Sequence, residues 1–308
     1  MPKSLLTLNS MSHPNTIAGW IDWAEQQFTD AELFYGHGTS DCISETIYLL
    51  SHALKTDFEL SGFEGDTRLT EEQNASIHSL LQMRIDKKIP AAYLVNEAWF
   101  CGLPFYVNEN VLVPRSPIAE LIESEFQPWI KRSSIHSILE IGTGSGCIGL
   151  SCAYYLKDVL VDAVDIDDRA IEISLKNREN LNLEKRVNII KSDVFSALGD
   201  KKYDVIVSNP PYVSAEEYHS LPDEYKHEPE IGLTSGEDGL DCVRVILTEA
   251  AEHLNDCGIL IVEVGNSQSI LEKTFPDIPF MWLEFEYGGS GVFLLEKDQL
   301  INYIDQNG

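Results

Sequence analysis

The run Ser137-Ile138-Leu139-Glu140-Ile141 is apolar and β-rich, and it stops at Gly142-Thr143-Gly144-Ser145-Gly146 before a helical pattern that runs through Tyr155. A strand, a glycine-rich loop and a helix in that order constrain the chain strongly. Glycines let the backbone take positive φ and approach a ligand closely, and the first turn of the helix offers free N–H groups. The alternation then continues. Val159–Asp165 reads as a second strand, followed by a helix that Asp168 caps and that runs to about Asn180. Val187–Ile190 and Tyr203–Ser208 read as the third and fourth strands, separated by Ser192-Asp193-Val194-Phe195. A helix from about Leu240 to Leu254, a strand over Gly258–Val264 and a short helix near Gln268–Phe275 come next. Met281–Tyr287 and Gly291–Leu295 predict a closing hairpin across Gly288-Gly289. This pattern predicts an α/β, Rossmann-like domain: a mostly parallel sheet with an antiparallel edge hairpin.

The first part of the chain has a different texture. Ile17, Trp20, Ile21, Ala24 and Phe28 share one helical face, and Ile43, Ile47, Leu50 and Leu54 share another. Ser40 or Asp41 can cap the second helix. Thr70 and Gln73 form a capping-box pair ahead of Ile77, Leu80, Leu81 and Ile85. Ala98–Cys101 and Phe105–Val107 flank Gly102-Leu103-Pro104 as a hairpin, and Asn108-Glu109-Asn110 turns into Val111-Leu112-Val113. Pro117 fits the first turn of a helix bearing Ile118, Leu121 and Ile122. The expected organisation is a helical substrate-recognition domain over 1–95, a β-hairpin and connector over 96–133, and the α/β domain over 134–308.

Asn209-Pro210-Pro211-Tyr212 follows the fourth strand. Two prolines cannot extend a strand, since neither has an N–H and both fix φ. The chain must leave the sheet at its carboxyl end, where open α/β sheets place their ligands. The turn delivers a side-chain amide and two prolyl carbonyls beside an aromatic ring, an acceptor cluster suited to a substrate –NH2 group. A plain strand-ending turn is the competing reading.

The glycine loop alone leaves the cofactor open. Gly144, Gly146 and Gly149 match the dinucleotide fingerprint, and Asp165, at the end of the second strand, can accept from ribose hydroxyls, so NAD competes. Glu140 ahead of the glycines would repel a pyrophosphate and welcome a cationic ligand; it could equally be a structural carboxylate tying down loop amides.

With 44% hydrophobic residues and 308 in all, the chain can form two cores. No stretch approaches the ~18 consecutive apolar residues of a membrane span. Met1-Pro2-Lys3-Ser4-Leu5 lacks the pattern of a signal peptide, so a cytoplasmic location is expected. The six cysteines show no C-x-x-C pair and no metal-ligand spacing, which predicts reduced thiols and no metal site. A net charge of −28 disfavours direct nucleic-acid binding and favours a basic protein partner. The oligomeric state is not legible.

Taken together, E-I-G-T-G-S-G at 140–146, Asp165, Ser192-Asp193 and N-P-P-Y at 209–212 resemble the class I S-adenosylmethionine-dependent methyltransferases. N-P-P-Y behind a helical N-terminal domain is similar to the protein glutamine N5-methyltransferases. The stretches 34–39, 98–102 and 112–122 resemble the branch of that family that modifies ribosomal protein L3. The resemblance implies S-adenosylmethionine as cofactor. Gly142, Thr143, Gly144, Ser145 and Gly146 would then line its methionine side with Glu140, Asp165 would hold its ribose, and Asp193 with the Val194 backbone would meet its adenine. Asn209 and the Pro210 carbonyl would be catalytic, holding the substrate amide next to Pro211, with Tyr212 and Phe100 walling the pocket. Cys147 and His227 are expected to be bystanders, and Glu228–Leu233 looks like ordinary variation. The site would serve a release-factor glutamine equally well, or an adenine-N6 nucleic-acid methyltransferase, although no basic groove is visible. A non-catalytic chaperone for a basic ribosomal protein is the reading from another class.

Overall fold

In the computed structural model the described residues are 14–307, with side chains described through residue 304. The opening residues Met1–Leu5 lie outside them. Two compact units divide between Val95 and Asn96.

The first unit is helical: α1 (Ile17–Asp30), α2 (Cys42–Leu54), α3 (Glu71–Lys87) and the short α4 (Ala91–Val95). Asp41 caps α2 by accepting the Ser44 N–H, and Thr70 and Gln73 complete a reciprocal capping box at α3. Ile17, Trp20, Ala24 and Phe28 of α1 bury against Leu49 and Leu50 of α2 and Ile77 and Leu81 of α3. The face of α2 departs from its apolar spacing. Ile43 is 46% exposed, and Ile47 and Leu54 are half-buried. The helix turns Glu45 and Thr46 inward instead, because Glu45 meets the buried Arg84 of α3 at 2.7 Å. A buried carboxylate must be paired, so this ion pair sets the rotation of the helix.

The second unit opens with a hairpin, β1 (Glu97–Phe100) and β2 (Leu103–Tyr106), joined by Cys101-Gly102, both at positive φ (47° and 67°). Val111–Val113, expected as a strand, forms no strand and joins neither sheet among the described residues. After α5 (Ile118–Glu123) come β3 (Ser137–Ile141), α6 (Cys147–Tyr155), β4 (Leu160–Asp165), α7 (Asp168–Asn180), β5 (Val187–Lys191) and β6 (Tyr203–Ser208). The cap of α7 is Asp167 rather than Asp168. Two short helices, α8 (Ala215–Tyr218) and α9 (Glu230–Leu233), lead to α10 (Asp241–His253), β7 (Leu254–Glu263), α11 (Gln268–Thr274), β8 (Met281–Trp282), β9 (Val292–Glu296) and α12 (Lys297–Asn307). The sheet order is β5-β4-β3-β6-β7-β9-β8, with the first five strands parallel and the last two antiparallel.

Along the central strands, successive side chains alternate between two cores. Ile138, Val161, Val205 and Ile261 pack with α5 and α6 on one face, and Leu139, Val164, Ile206 and Leu260 pack with α10 and α12 on the other. The closing hairpin is shorter than its sequence predicts, since β8 holds only Met281 and Trp282. The Glu120 carboxylate detains the rest by accepting the Glu286 and Tyr287 N–H groups at 2.8 and 2.9 Å. The helix α12 has no counterpart among the expected elements. No helix among the described residues is long and apolar enough to cross a membrane.

Candidate active site

Strand order reverses between β3 and β6, and open α/β sheets hold ligands outside the carboxyl ends of the strands at such a point. A cavity of about 420 Å³ lies there, within the range of small-molecule sites. Its floor is the loop leaving β3. The Gly142 and Thr143 N–H groups both donate to the Val164 carbonyl at 2.9 Å, and Gly144 donates to Asp165 Oδ2 at 2.8 Å. Gly144 sits at φ +53°, a conformation that costs other residues. The second oxygen of Asp165 accepts the Asp167 N–H at 3.0 Å. Burial raises the Asp165 carboxyl above its usual range.

Glu140 is 1% exposed. Its carboxylate accepts the Thr143 hydroxyl at 2.5 Å and lies close against Gly149 at the start of α6. A Cβ on Gly149 would stand 2.5 Å from Glu140 Oε2, so that glycine exists to admit the carboxylate. Burial pushes Glu140 up to about 8. Glu140 thus braces the glycine loop and also borders the cavity from below.

Beyond β5, Val194 lines the cavity at φ +46°, a strained conformation for a β-branched residue. Ser192 holds it there, donating from its hydroxyl to the Val194 carbonyl at 2.9 Å while accepting the Ala197 N–H at 3.0 Å. Among the described residues, nothing accepts the Val194 N–H.

On the opposite side, Ser208 closes β6 by donating to the Ile141 carbonyl at 2.8 Å, and Val213 N–H donates to Leu233 O at 2.8 Å. Between these anchors, among the described residues, the Asn209 side-chain amide and the Pro210 and Pro211 carbonyls form no hydrogen bond, and all three residues line the cavity. The Tyr212 carbonyl is taken by the Ser267 hydroxyl at 2.7 Å. The Tyr212 ring lies against Gly265, where a Cβ would come within 2.8 Å of it. Gly142, Thr143, Gly144, Ser145, Asp165, Asp193, Val194, Asn209, Pro210, Pro211 and Tyr212 therefore border one space with Glu140.

Phe100 and Gly146 do not line the cavity. Gly146, at φ +83°, is buried beside Leu150 and Ser174. Phe100 is 5% exposed and belongs to the apolar cluster of Leu103, Phe105 and Ile118. On a two-strand hairpin with one buried face, its position in the alternation puts it inside.

Two groups on the wall, Arg115 and Glu263, and one behind it, Asn177, escaped the sequence reading. Arg115 is held bidentate by Glu228, whose side chain is fully buried, and its guanidinium lies 5.3 Å from the centre of the Tyr225 ring. Glu228–Leu233 is thus more than ordinary variation. Glu263, the last residue of β7, accepts the Ser116 hydroxyl at 2.5 Å. The signal for it was its place at the carboxyl end of a strand. Asn177 of α7 accepts the Tyr106 N–H and donates to the Tyr106 and Ser145 carbonyls, all within 2.9 Å, tying the hairpin to the glycine loop. Among the described residues no cluster of His, Cys, Asp and Glu could hold a metal ion.

The donor set fits S-adenosylmethionine: a carboxylate closes β4, an unused backbone N–H waits at Val194, and Glu140 is buried beneath the loop. A protein-family model described as the methyltransferase small domain matches residues 126–222. The chain is 41% identical over 296 residues to the ribosomal protein uL3 glutamine methyltransferase of Xanthomonas campestris pv. campestris, covering 96% of each protein. It is 42% identical to the proteins of the same name from Francisella tularensis subsp. tularensis, covering 94% of this chain and 93% of the relative, and from Neisseria gonorrhoeae, covering 93% and 96%.

Proposed function

Because the chain belongs to the ribosomal protein uL3 glutamine methyltransferases, we propose that this site methylates the side-chain nitrogen of a glutamine in uL3. The observation that carries the reading is the pair of unused acceptors at the end of β6, Asn209 Oδ1 and the Pro210 carbonyl. S-adenosylmethionine supplies a methyl group on a sulfonium, an electrophile open to an amide nitrogen. A carboxamide nitrogen is a weak nucleophile, because its lone pair is shared with the carbonyl. Asn209 and Pro210 each accept one N–H of the glutamine –NH2, which aims the nitrogen and favours the positive charge that develops on it. Both acceptors are pre-set, since Ser208 and Val213 hold the turn from either side.

In this reading Asp165 accepts from the ribose hydroxyls and the Val194 N–H donates to the adenine ring. Gly142–Gly146 pass beneath the methionine portion, with Glu140 bracing the loop from below through the Thr143 hydroxyl. Tyr212 and Pro211 wall the amide pocket. Residues 14–95 serve as a recognition unit for the protein substrate.

The test is methyl transfer from labelled S-adenosylmethionine to purified uL3, with a release factor and an adenine-containing oligonucleotide as parallel substrates. Mass spectrometry should find one methyl group on a glutamine of uL3. A methylated release factor with unmodified uL3 would overturn the substrate assignment.

A further inference from the structure

Glu263 is buried at the end of β7 and has no part in holding the amide or the donor as described above. Ser208 pairs with Val262 across the parallel strands β6 and β7, so the residues that follow, Asn209 and Glu263, are neighbours at the carboxyl edge of the sheet. Both line the cavity. The carboxylate of Glu263 joins two segments far apart in sequence. One oxygen accepts the Ser116 hydroxyl at 2.5 Å, and the other receives the Tyr212 hydroxyl over a longer 3.4 Å.

The hydrogen-bond chemistry selects one protonation state. The Ser116 oxygen already accepts the Ile118 N–H at 3.2 Å, which leaves its hydrogen for Glu263. Two hydroxyls converging on one carboxyl group satisfy an ionised acceptor. A protonated Glu263 would compete as a donor and force one hydroxyl to turn away, and Ser116 is too buried to find water instead.

We propose that Glu263 is a positioning residue for the methyl transfer: its ionised carboxylate, seated on Ser116, fixes the Tyr212 ring and sets a negative charge beside Asn209. This rests on the reading of the amide-gripping turn given above. A charge there favours the nitrogen as it becomes cationic, and a steady Tyr212 keeps the turn in register with the donor.

The ionisable and charged groups facing Glu263 are Tyr212 on the turn and Arg115 on the connector, alongside the Ser116 hydroxyl. Glu228 grips Arg115 on both sides, so the cation's pull on Glu263 is shared. Burial raises the Glu263 carboxyl to about 7, against the lowering effects of Ser116, Arg115 and Tyr212. The proton is therefore gained and lost near neutrality, and turnover should rise as pH climbs through that range.

The experiment compares full-length wild type with Glu263→Gln, Ser116→Ala and Tyr212→Phe, using purified uL3 and labelled S-adenosylmethionine between pH 6 and 9. Melting temperature and calorimetric affinity for S-adenosylhomocysteine are measured on each. Wild-type kcat should step upward near neutral pH. Glu263→Gln should lower kcat at pH 8 roughly 10- to 100-fold, as a misplaced reacting group does, with KM and S-adenosylhomocysteine affinity within about twofold. Its pH step should vanish. Ser116→Ala should keep the step but move it upward, since the ionised carboxylate has lost a donor. A purely structural role would shift melting temperature and leave the step in place. An active wild type with Glu263→Gln at full kcat, or with its pH step intact, overturns this proposal alone. A wild type that binds S-adenosylhomocysteine yet leaves uL3 unmodified overturns the functional reading and this proposal with it.

Discussion

The carboxylate of Glu228 takes both prongs of the Arg115 guanidinium, at 2.6 and 2.7 Å, across 113 residues of sequence. The same carboxylate accepts the Val113 N–H at 3.0 Å. One buried acid therefore pins the connector ahead of α5 to the segment between α8 and α9, on one wall of the cavity. Removing one partner of a buried pair leaves the other uncompensated. Glu228→Ala is expected to destabilise the protein by about 3 kcal/mol, seen as a melting temperature lower by roughly 6–12 °C. Arg115→Lys should lower it as well, because a lysine cannot form the paired contacts. Thermal denaturation of the three proteins checks this.

Asn209→Ala removes one of the two acceptors for the amide while leaving the glycine loop untouched. Turnover should fall on the order of 10²-fold, with affinity for S-adenosylhomocysteine unchanged. Single-turnover methylation of uL3 beside calorimetry separates the two effects. Normal turnover in Asn209→Ala would sink the mechanism.

Asn177 makes three hydrogen bonds to backbone groups and is 1% exposed. Asn177→Asp keeps the size and the acceptor but loses both donors to Tyr106 and Ser145. The expected result is a loss of roughly 2–4 kcal/mol of stability together with weaker cofactor binding, because the Ser145 carbonyl belongs to the glycine loop. Chemical denaturation and calorimetry read the two consequences. Full cofactor affinity in this variant would show that the loop holds its shape without α7.

Glu140 gives the fold a dependence on pH whose sign follows from its shift. Its carboxyl is raised to about 8 in the folded chain by burial, against about 4.3 when exposed. The native state binds the proton more tightly, so this stabilisation is present at low pH and is lost as pH rises toward and through 8. Glu140→Gln should flatten the stability curve between about pH 5 and 9, a difference of roughly 4 kcal/mol across that window. A sulfonium nearby would favour the ionised form, so wild type should prefer S-adenosylmethionine over neutral S-adenosylhomocysteine more strongly at pH 9 than at pH 6. A ratio that ignores pH would remove Glu140 from donor recognition.

The charge of −28 predicts that a basic protein substrate docks partly by long-range attraction. KM for uL3 should rise several-fold between about 50 and 300 mM salt, with kcat held. Steady-state kinetics at fixed cofactor test it, and a KM indifferent to salt counts against steering.

Local chemistry decided the frame of this protein. The bounds of β3 and β6 agree with those expected from the residues, Ser137–Ile141 and Tyr203–Ser208, because glycines end one strand and prolines end the other. The capping box at Thr70 and Gln73 is equally local. What the fold alone decided were the pairings between distant polar groups and the directions that follow from them. Glu45 turns α2 away from its apolar stripe to reach Arg84, and Glu120 holds Glu286 and Tyr287 out of the edge hairpin. Ser116 finds Glu263 across 147 residues. Periodicity and turn chemistry act over a few residues, whereas a buried charge takes whatever partner three-dimensional packing brings within hydrogen-bonding distance.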